Sequence, residues 1–330
     1  MTLDEHEFVS SFCIVIASHL SNSKRILYLI ECLESLLNQT IPISIYLSIS
    51  FNNDAIREEF LNNYKIMDLC NKIFLLIREH KTPQMRHIYI LTPELEKKHR
   101  WIMFCDDDDT YNNNRVEQII KYIYGGLIQC SHMHNKKLIG LYESTFGKDH
   151  REHRHEYWCY CINIEIIRQF YEKLADYPDI IDNKCCDVLF AEYLRRANEN
   201  LLYSRINEKL YNYRVDNNSD SITGFIKGNQ TKYIRNREPP SIMDISFSEY
   251  VVDWNEYLYE NLDVYLHDVF LRTIVGCEFD FILKAEFLAD YAIVPYTDNN
   301  ILLQIKNKYE YWRELCNQLY DIKFVTVYSK

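Results

Sequence analysis

Short apolar runs alternate with helical segments along the first third of the chain. The apolar runs predict four buried strands, over residues 12–18, 44–51, 72–78 and 101–104. Apolar residues recur every three or four positions from Arg25 to Gln39, which predicts an amphipathic helix with Ser23 as its N-cap. Further helices are predicted over residues 55–64 and from Pro83 onward. Such alternation predicts a Rossmann-like parallel sheet flanked by helices.

The pattern is less regular after residue 111. It predicts a helix over 115–124 that ends at Gly125 and Gly126, strands over 137–142 and 157–163, helices over 165–175 and 187–198, and a strand pair over 201–214. Pro239 and Pro240 mark the predicted domain boundary. We therefore predict an α/β domain over residues 1–238 and a mainly helical C-terminal extension over 239–330. Within the extension, the apolar spacing from Leu258 to Phe270 predicts an amphipathic helix.

Four consecutive aspartates, Asp106 to Asp109, follow the fourth predicted strand. In a parallel sheet the carboxyl ends of the strands share one edge, which also receives Ser18, residues 52–54 and the turn 79–86. Open α/β sheets bind ligands at this edge. Adjacent carboxylates repel one another, and their oxygens suit Mg²⁺ or Mn²⁺, so the four aspartates predict a divalent metal site. A solvated acidic turn or an acidic helix N-terminus is the alternative.

Composition excludes several classes of function. The 37 basic and 48 acidic residues give a net charge of −11, which argues against nucleic acid as the main partner. The chain has 7 glycines, and its first turn carries neither GxGxxG nor GxxxxGK[ST], which argues against a dinucleotide dehydrogenase or a P-loop enzyme. The 11 scattered cysteines are typical of reduced thiols. With neither a secretory signal nor an apolar stretch of about 20 residues, we expect a cytoplasmic protein without a transmembrane segment.

Four segments of the chain carry further motifs. They are ECLESLLNQT at 31–40, FCDDDDTYNNNRVEQ at 104–118, CDVLFAEYLRR at 186–196 and YNYRVDNNSDS at 211–221. In this order they resemble motifs of the inverting glycosyltransferases of family 2, which have the GT-A fold with its Asp-x-Asp motif. The resemblance implies a Mn²⁺- or Mg²⁺-dependent hexosyl- or N-acetylhexosaminyltransferase. Its donor would be a nucleotide-diphosphate sugar, UDP-linked in most of the family, and its acceptor a hydroxyl group of a glycan or protein, with inversion.

The resemblance also implies roles for individual residues. Asp187 is the expected general base. The expected metal ligands are Asp106, Asp108, Asp109 and Asp216. The residues expected to contact the nucleotide sugar are Ala17, Ser18, Asn52, Asn53, Asp54, Arg86, Asp106, Asp107 and Arg214. Within the aspartate run, Asp107 is the member expected to tolerate substitution. Two features depart from the family pattern, since residues 79–83 replace a glycine-rich turn and Asp216 stands where the family has a histidine.

Other interpretations stay open at this stage. Asp187 would also serve as the N-cap of the helix predicted after it. The chain could be a non-catalytic glycan- or partner-binding module on a GT-A fold. It could also be a sugar-nucleotide nucleotidylyltransferase, although residues 19–23 lack the glycine-rich basic turn that this class needs.

The middle and the end of the chain leave two further questions open. The His- and Cys-rich segment 150–161, with Cys130, His132 and His134 before it, is either a zinc site or a basic loop over the substrate. Its aromatic residues Trp158 and Tyr160 would either stack on a sugar ring or pack in the core. The tyrosine-rich region after residue 241 is interpreted as a helical packing surface or a homo-oligomer interface.

Overall fold

A computed structural model describes residues 3–131, 137–143, 156–196, 201–214, 243–284 and 296–320. The chain divides into two compact units, Met1–Val215 and Asp216–Lys330. The predicted domain boundary between residues 238 and 239 lies outside the described residues and stays a prediction. Among the described residues, none of the helices combines the length and the apolar character needed to cross a bilayer.

The first unit is built on a mixed sheet. Its strands are β1 (Phe12–Leu20), β2 (Ser44–Phe51), β3 (Phe74–Ile77), β4 (Trp101–Asp106), β6 (Lys137–Glu143), β7 (Tyr160–Asn163) and β8 (Leu201–Ile206), and a separate pair is formed by β5 (Thr110–Tyr111) and β9 (Tyr211–Asn212). The strand order is β3-β2-β1-β4-β7-β6-β8. Strands β1 to β4 run parallel, whereas β7 is antiparallel to β4 and β6. The predicted Rossmann-like α/β sheet is confirmed, with an antiparallel strand that alternation alone did not predict.

Helices flank this sheet. They are α1 (Leu3–Ser10), α2 (Ser23–Leu37), α3 (Asp54–Asn62), α4 (Tyr64–Cys70), α5 (Gln84–Glu96), α6 (Arg115–Ser131), α7 (Ile164–Lys173), α8 (Pro178–Ile181) and α9 (Cys186–Arg195), with a 3-10 turn at Tyr157–Cys159. The N-cap of α2 is Asn22 rather than Ser23, because the extended Asn22 accepts hydrogen bonds from the Lys24 and Arg25 amides. The Ser23 hydroxyl donates to Glu59 instead.

Helix α6 corrects the prediction that Gly125 and Gly126 end a helix. The helix continues through both glycines to Ser131. A Cβ atom at Gly126 would lie 2.5 Å from Ser204 Oγ on β8 and 3.0 Å from a methyl carbon of Leu138 on β6. Glycine is therefore needed here for close packing of the helix on the sheet, and not for a turn.

Strands β8 and β9 correct the prediction of a strand pair over 201–214. Strand β8 lies parallel to β6, and β9 pairs with β5, which directly follows the aspartates. The pairing brings Tyr211 next to the carboxyl end of β4. Residues distant in sequence thereby reach the edge where the aspartates lie.

The central strands are buried on both faces. Phe12, Ile14, Trp101 and Phe104 of β1 and β4 are each fully buried, and each such side chain contributes roughly 1.5–3 kcal/mol to folding. Helix α2 covers the sheet with the stripe of apolar residues that its periodicity predicts. The aspartates consequently begin at the end of a rigid element.

The second unit is helical where it is described. Its helices are α10 (Ser246–Glu260), α11 (Leu262–Ile274), α12 (Phe279–Lys284) and α13 (Asn299–Tyr320). The single helix predicted from Leu258 to Phe270 is two helices that separate at Asn261. Phe270 of α11 packs against Trp312 of α13, with ring centroids 5.0 Å apart.

Candidate functional site

The aspartates lie at the topological switch point of the sheet, where the direction in which successive strands are added reverses. The chain adds strands on one side from β1 to β3 and then crosses back to place β4 beside β1. Open α/β sheets bind ligands outside the carboxyl ends of the strands at such a switch point. Ser18, near the end of β1, donates a hydrogen bond to Asp107 Oδ2, so the two sides of the switch point are joined directly.

Arg25 binds the middle of the aspartate run. Its Nη1 lies 2.8 Å from Asp108 Oδ2, and its Nη2 donates to Asp107 Oδ1. Asp107 is almost fully buried, while Asp108 remains partly exposed. Arg25 stands in the first turn of α2, so this ion pair ties the first helix of the sheet to the aspartates.

The outer aspartates are held by tyrosines. Asp106 Oδ1 accepts hydrogen bonds from Gln84 Nε2, at 2.8 Å, and from the Tyr157 hydroxyl. Asp109 Oδ2 accepts from the Tyr211 hydroxyl at 2.7 Å, and its Oδ1 accepts from the Arg214 amide at 2.7 Å. The four carboxylates are thus oriented by separate partners from α2, α5, the 3-10 turn and β9.

These contacts do not offset the cost of burying ionised carboxylates beside one another. Burial, followed by the charge of Asp109, raises the pKa of Asp106 well above its usual range. Burial raises the pKa of Asp107 to about 6 against the opposing effect of Arg25, and raises that of Asp109 to about 7. A cation placed beside these carboxylates would favour their ionised forms. The site therefore has the electrostatic character of a cation site.

The geometry limits how such a cation would be held. Among the residues that the structure describes, no three His, Cys, Asp or Glu side chains are grouped to hold a metal ion. The fourth expected ligand, Asp216, lies outside those residues. Mg²⁺ is commonly held by one or two carboxylates together with substrate phosphates. The donor set fits a divalent ion that completes its coordination with a phosphorylated ligand.

Asp187 acts electrostatically on Tyr157. It is in the first turn of α9, where Cys185 is the N-cap, so the interpretation of Asp187 as an N-cap is wrong. After burial and Asp106, the charge of Asp187 contributes to raising the pKa of Tyr157, the residue that donates to Asp106. The structure thus brings Asp187 into electrostatic range of the aspartate site.

The residues expected to contact the nucleotide occupy the edge formed by β1 and β2. Ala17 is paired with Asp106 in the register of β1 and β4. Asn52, Asn53 and Asp54 follow β2, where the Asn53 side chain caps α3 and Asp54 is its exposed first residue. These positions lie beside Ser18, on one side of the aspartates.

The two arginines expected at the nucleotide are both engaged. Arg86 forms a two-fold ion pair with Asp182, with both N–O distances 2.8 Å. Arg214 donates from Nε to the Asp108 carbonyl at 2.8 Å and from Nη2 to Glu31, and its guanidinium stacks on Tyr28 at 4.2 Å. Arg214 belongs to the aspartate site, whereas Arg86 joins α5 to the segment after α8.

Sequence patterns missed the residues that orient the aspartates. These residues are Arg25, Gln84, Tyr157 and Tyr211. A signal existed for Arg25, because a cation in the first turn of a helix opposes the helix dipole and needs a nearby anion. For the others the contact crosses between 22 and 105 residues of sequence, and a lone glutamine or tyrosine carries no such signal.

The His- and Cys-rich segment is only partly described. His132, His134, His150, His153 and His155 lie outside the described residues, so the zinc hypothesis for them stays a prediction. The neighbouring thiols of Cys159 and Cys161 are fully buried, and burial raises the pKa of Cys161 above its usual value. Trp158 and Tyr160 are also buried.

A buried polar cluster supports the edge beside Ser18. His87 of α5 bonds to Ser48 through Nδ1 at 2.7 Å and to Ser50 through Nε2 at 3.2 Å. Burial, assisted by the charge of Arg78, lowers the pKa of His87 from 6.5 to about 4. The folded protein therefore holds this histidine neutral.

This histidine predicts a pH-dependent loss of stability. The free energy of unfolding is greatest above pH 6.5 and falls as the pH drops toward about 4, because His87 binds a proton in the unfolded chain but not in the folded protein. The loss amounts to roughly 3 kcal/mol. Urea unfolding followed from about pH 7.5 to pH 4.5 should show a shallower decline for His87→Gln than for the wild type. His80→Gln, at an exposed histidine, is the control; an unchanged slope in His87→Gln would contradict the prediction.

Comparisons with known proteins give only distant structural similarities. No protein-family model matches the chain, and no curated protein sequence matches it. Similar solved structures include TarS of S. aureus, at 11% identity and a TM-score of 0.40. That match covers 94% of this chain and 55% of the TarS chain, so the chain spans about half of that protein's length.

Two further solved structures carry ligands in their descriptions. The mannosyltransferase PcManGT of Pyrobaculum calidifontis, in complex with GDP-Man and Mn²⁺, is 11% identical with a TM-score of 0.44, and the match covers 93% of this chain and 84% of that one. Glucosyl-3-phosphoglycerate synthase of Mycobacterium tuberculosis, in complex with Mg²⁺ and UDP, is 12% identical with a TM-score of 0.38, covering 66% and 76%. Identities and TM-scores this low carry no conclusion for this chain, and function has to be inferred from its own geometry.

Proposed function

We propose that the first unit is a metal-dependent glycosyltransferase. It would move a sugar from a nucleotide-diphosphate sugar, UDP-linked as the first candidate, to a hydroxyl acceptor with inversion. The observation that carries the proposal is the cluster Asp106–Asp109 at the switch point of the sheet, where four adjacent carboxylates are oriented by hydrogen bonds and ion pairs. A binding module would not need to bury so many carboxylates beside one another.

In this proposal the nucleotide lies along the edge of β1 and β2. Ser18 and the Asn52–Asp54 segment offer hydroxyl, amide and carboxylate groups there, which suit the hydroxyls of a ribose and the polar edge of a base. The diphosphate then points toward the aspartates. Because the carboxylates alone would repel a diphosphate, binding requires a cation between them.

The residues that would hold a divalent ion are Asp106 and Asp108, with Asp109 behind them and Asp216 as the further expected ligand. When bound, Mn²⁺ or Mg²⁺ would neutralise the charge that develops on the leaving diphosphate. Tyr157 and Gln84 fix the Asp106 carboxylate by hydrogen bonds, and Arg25 fixes Asp108. These partners orient the carboxylates before the substrate arrives.

Asp187 is the candidate base for the acceptor. Its charge acts on Tyr157, which donates to Asp106, and Asp187 itself is partly exposed. In an inverting transfer the acceptor hydroxyl attacks the anomeric carbon opposite the leaving diphosphate, so the base has to stand apart from the metal ligands. Asp187 would accept the proton of that hydroxyl as the new bond forms.

Metal-dependent nucleotide binding tests the proposal. Calorimetry should detect binding of UDP or GDP in the presence of Mn²⁺ and lose at least tenfold in affinity when the metal is removed with EDTA, because the diphosphate would then face bare carboxylates. The same titrations with UMP should give a much smaller dependence on metal, since one phosphate bridges less of the coordination shell. Absence of metal-dependent binding for every nucleoside diphosphate would overturn the proposal.

A further inference from the structure

Three stacked aromatic rings, those of Trp158, Tyr211 and Tyr213, lie beside the aspartates and form an aromatic column. Tyr211 also bonds to Asp109. Trp158 stacks on Tyr211 with ring centroids 4.1 Å apart and an interplanar angle of 15°. It also stacks on Tyr213, at 5.4 Å and 11°. Arg115 lies under Tyr211 at 5.2 Å from the ring centroid and donates to the Trp158 carbonyl at 3.2 Å. Arg115, Tyr211 and Trp158 are buried.

Tyr213 is the exposed member of this column. It is 53% exposed although one face of its ring lies against Trp158, so its other face is open to solvent. An isolated surface tyrosine moves freely, whereas Tyr213 is held nearly parallel to a buried ring. The arrangement is a rigid, flat aromatic surface of the kind that carries binding energy at little cost in side-chain entropy.

The column is fixed to the aspartate site through Tyr211. The Tyr211 hydroxyl donates to Asp109 Oδ2 and also accepts from the Asp106 amide at 3.0 Å. Tyr213 directly precedes Arg214, whose amide donates to Asp109 Oδ1 at 2.7 Å. The open aromatic face therefore lies at the border of the aspartate site.

The position of the column separates it from the nucleotide edge. Tyr213 follows β9, and Trp158 precedes β7, which pairs with β4 on the side opposite to β1. The residues proposed for the nucleotide are Ser18 in β1 and the segment Asn52–Asp54 after β2. A ligand on Tyr213 would approach the aspartates from the other side of the switch point, which is where an acceptor has to stand.

We propose that Tyr213, backed by Trp158, is the subsite for a pyranose ring of the acceptor, so that the acceptor is a carbohydrate. A pyranose presents a face of C–H bonds that packs on an aromatic ring, while its hydroxyls project from the rim toward polar neighbours. Tyr213 supplies the flat ring, and Glu156, which directly precedes the 3-10 turn that carries Trp158, supplies a carboxylate for the hydroxyls. The inference rests on the proposed glycosyltransferase function and names its acceptor class.

Saturation-transfer NMR with methyl pyranosides of glucose, galactose, mannose and N-acetylglucosamine tests the subsite. We expect at least one of them to bind the wild type at millimolar concentration. Tyr213→Ala should weaken that binding about tenfold, the loss expected when a stacking ring is removed, while Tyr213→Phe should retain it. Tyr64→Ala, at a tyrosine 87% exposed on α4, is the matched control and should bind as the wild type does.

The outcomes distinguish the subsite from the proposed function. If Mn²⁺-dependent UDP or GDP binding is unchanged in Tyr213→Ala while pyranoside binding falls, the subsite is supported. Pyranoside binding that is absent from the wild type, or equal in wild type and Tyr213→Ala, overturns the subsite even where nucleotide binding is intact. Loss of uridine or UDP binding in Tyr213→Ala also overturns it, because the ring would then hold the base. Failure of the transferase proposal would instead appear as absent nucleotide binding in the wild type.

Discussion

Asp108→Asn should abolish metal-dependent nucleotide binding, whereas Asp107→Asn should preserve most of it. Asp108 is partly exposed beside the proposed diphosphate position, and Arg25 contacts its Oδ2 atom. Asp107 is buried, and its two oxygens are taken by Ser18 and Arg25. A metal ligand contributes several kcal/mol through charge stabilisation, so we expect roughly a thousandfold loss of sugar transfer for Asp108→Asn.

Stability should also separate these variants. Burial raises the pKa of Asp107 to about 6 despite its contact with Arg25, so folding disfavours the ionised carboxylate at neutral pH, and Asp108 keeps its own contact with Arg25. Asp107→Asn should therefore unfold at a higher temperature than the wild type at pH 7.5, and a lower unfolding temperature would contradict this expectation. Calorimetry with Mn²⁺ and UDP, and unfolding of the same two variants, measure both effects. Equal losses of nucleotide binding in the two variants would show that this division of roles is wrong.

The parts of the fold that follow from local pattern are predictable from the sequence. Strand β2 matches the predicted range 44–51, because a continuous apolar run between polar turns has few other ways to be buried. The placement of Ser18, Asn52 and the aspartates on one edge follows from parallel pairing alone. Sequence patterns therefore predict those functional residues that lie in short segments at the ends of strands.

Long-range pairing is where sequence patterns fail. Nothing in the Tyr211–Asn212 segment indicates that it pairs with Thr110–Tyr111, and that pairing brings Tyr211 to Asp109. Gly126 has the local signature of a helix end, yet tertiary packing against Ser204 is the reason for a glycine there. In both cases the deciding contact is with a residue more than 70 positions away in the chain.

Asp187→Asn should remove sugar transfer while leaving nucleotide binding intact. The variant keeps the size of the side chain and its place in the first turn of α9, but an amide cannot accept the proton of the acceptor hydroxyl. General-base catalysis of this kind contributes typically a factor of 10² to 10⁴, so a loss of about a thousandfold in kcat is expected. The Kd for UDP with Mn²⁺ should change less than twofold, because the proposal gives Asp187 no part in holding the metal or the nucleotide.

A control variant separates this role from the general effect of removing one negative charge from the protein. Asp176 is exposed in the turn between α7 and α8. Asp176→Asn therefore removes one negative charge at a residue outside the candidate site. Transfer should be unchanged in Asp176→Asn and should depend on pH differently in Asp187→Asn, whose rate loses the rise that deprotonation of a carboxylate base produces. Transfer retained in Asp187→Asn, with nucleotide binding normal, would exclude Asp187 as the base, and Glu156, which precedes the turn that carries Trp158, would be the next carboxylate to replace.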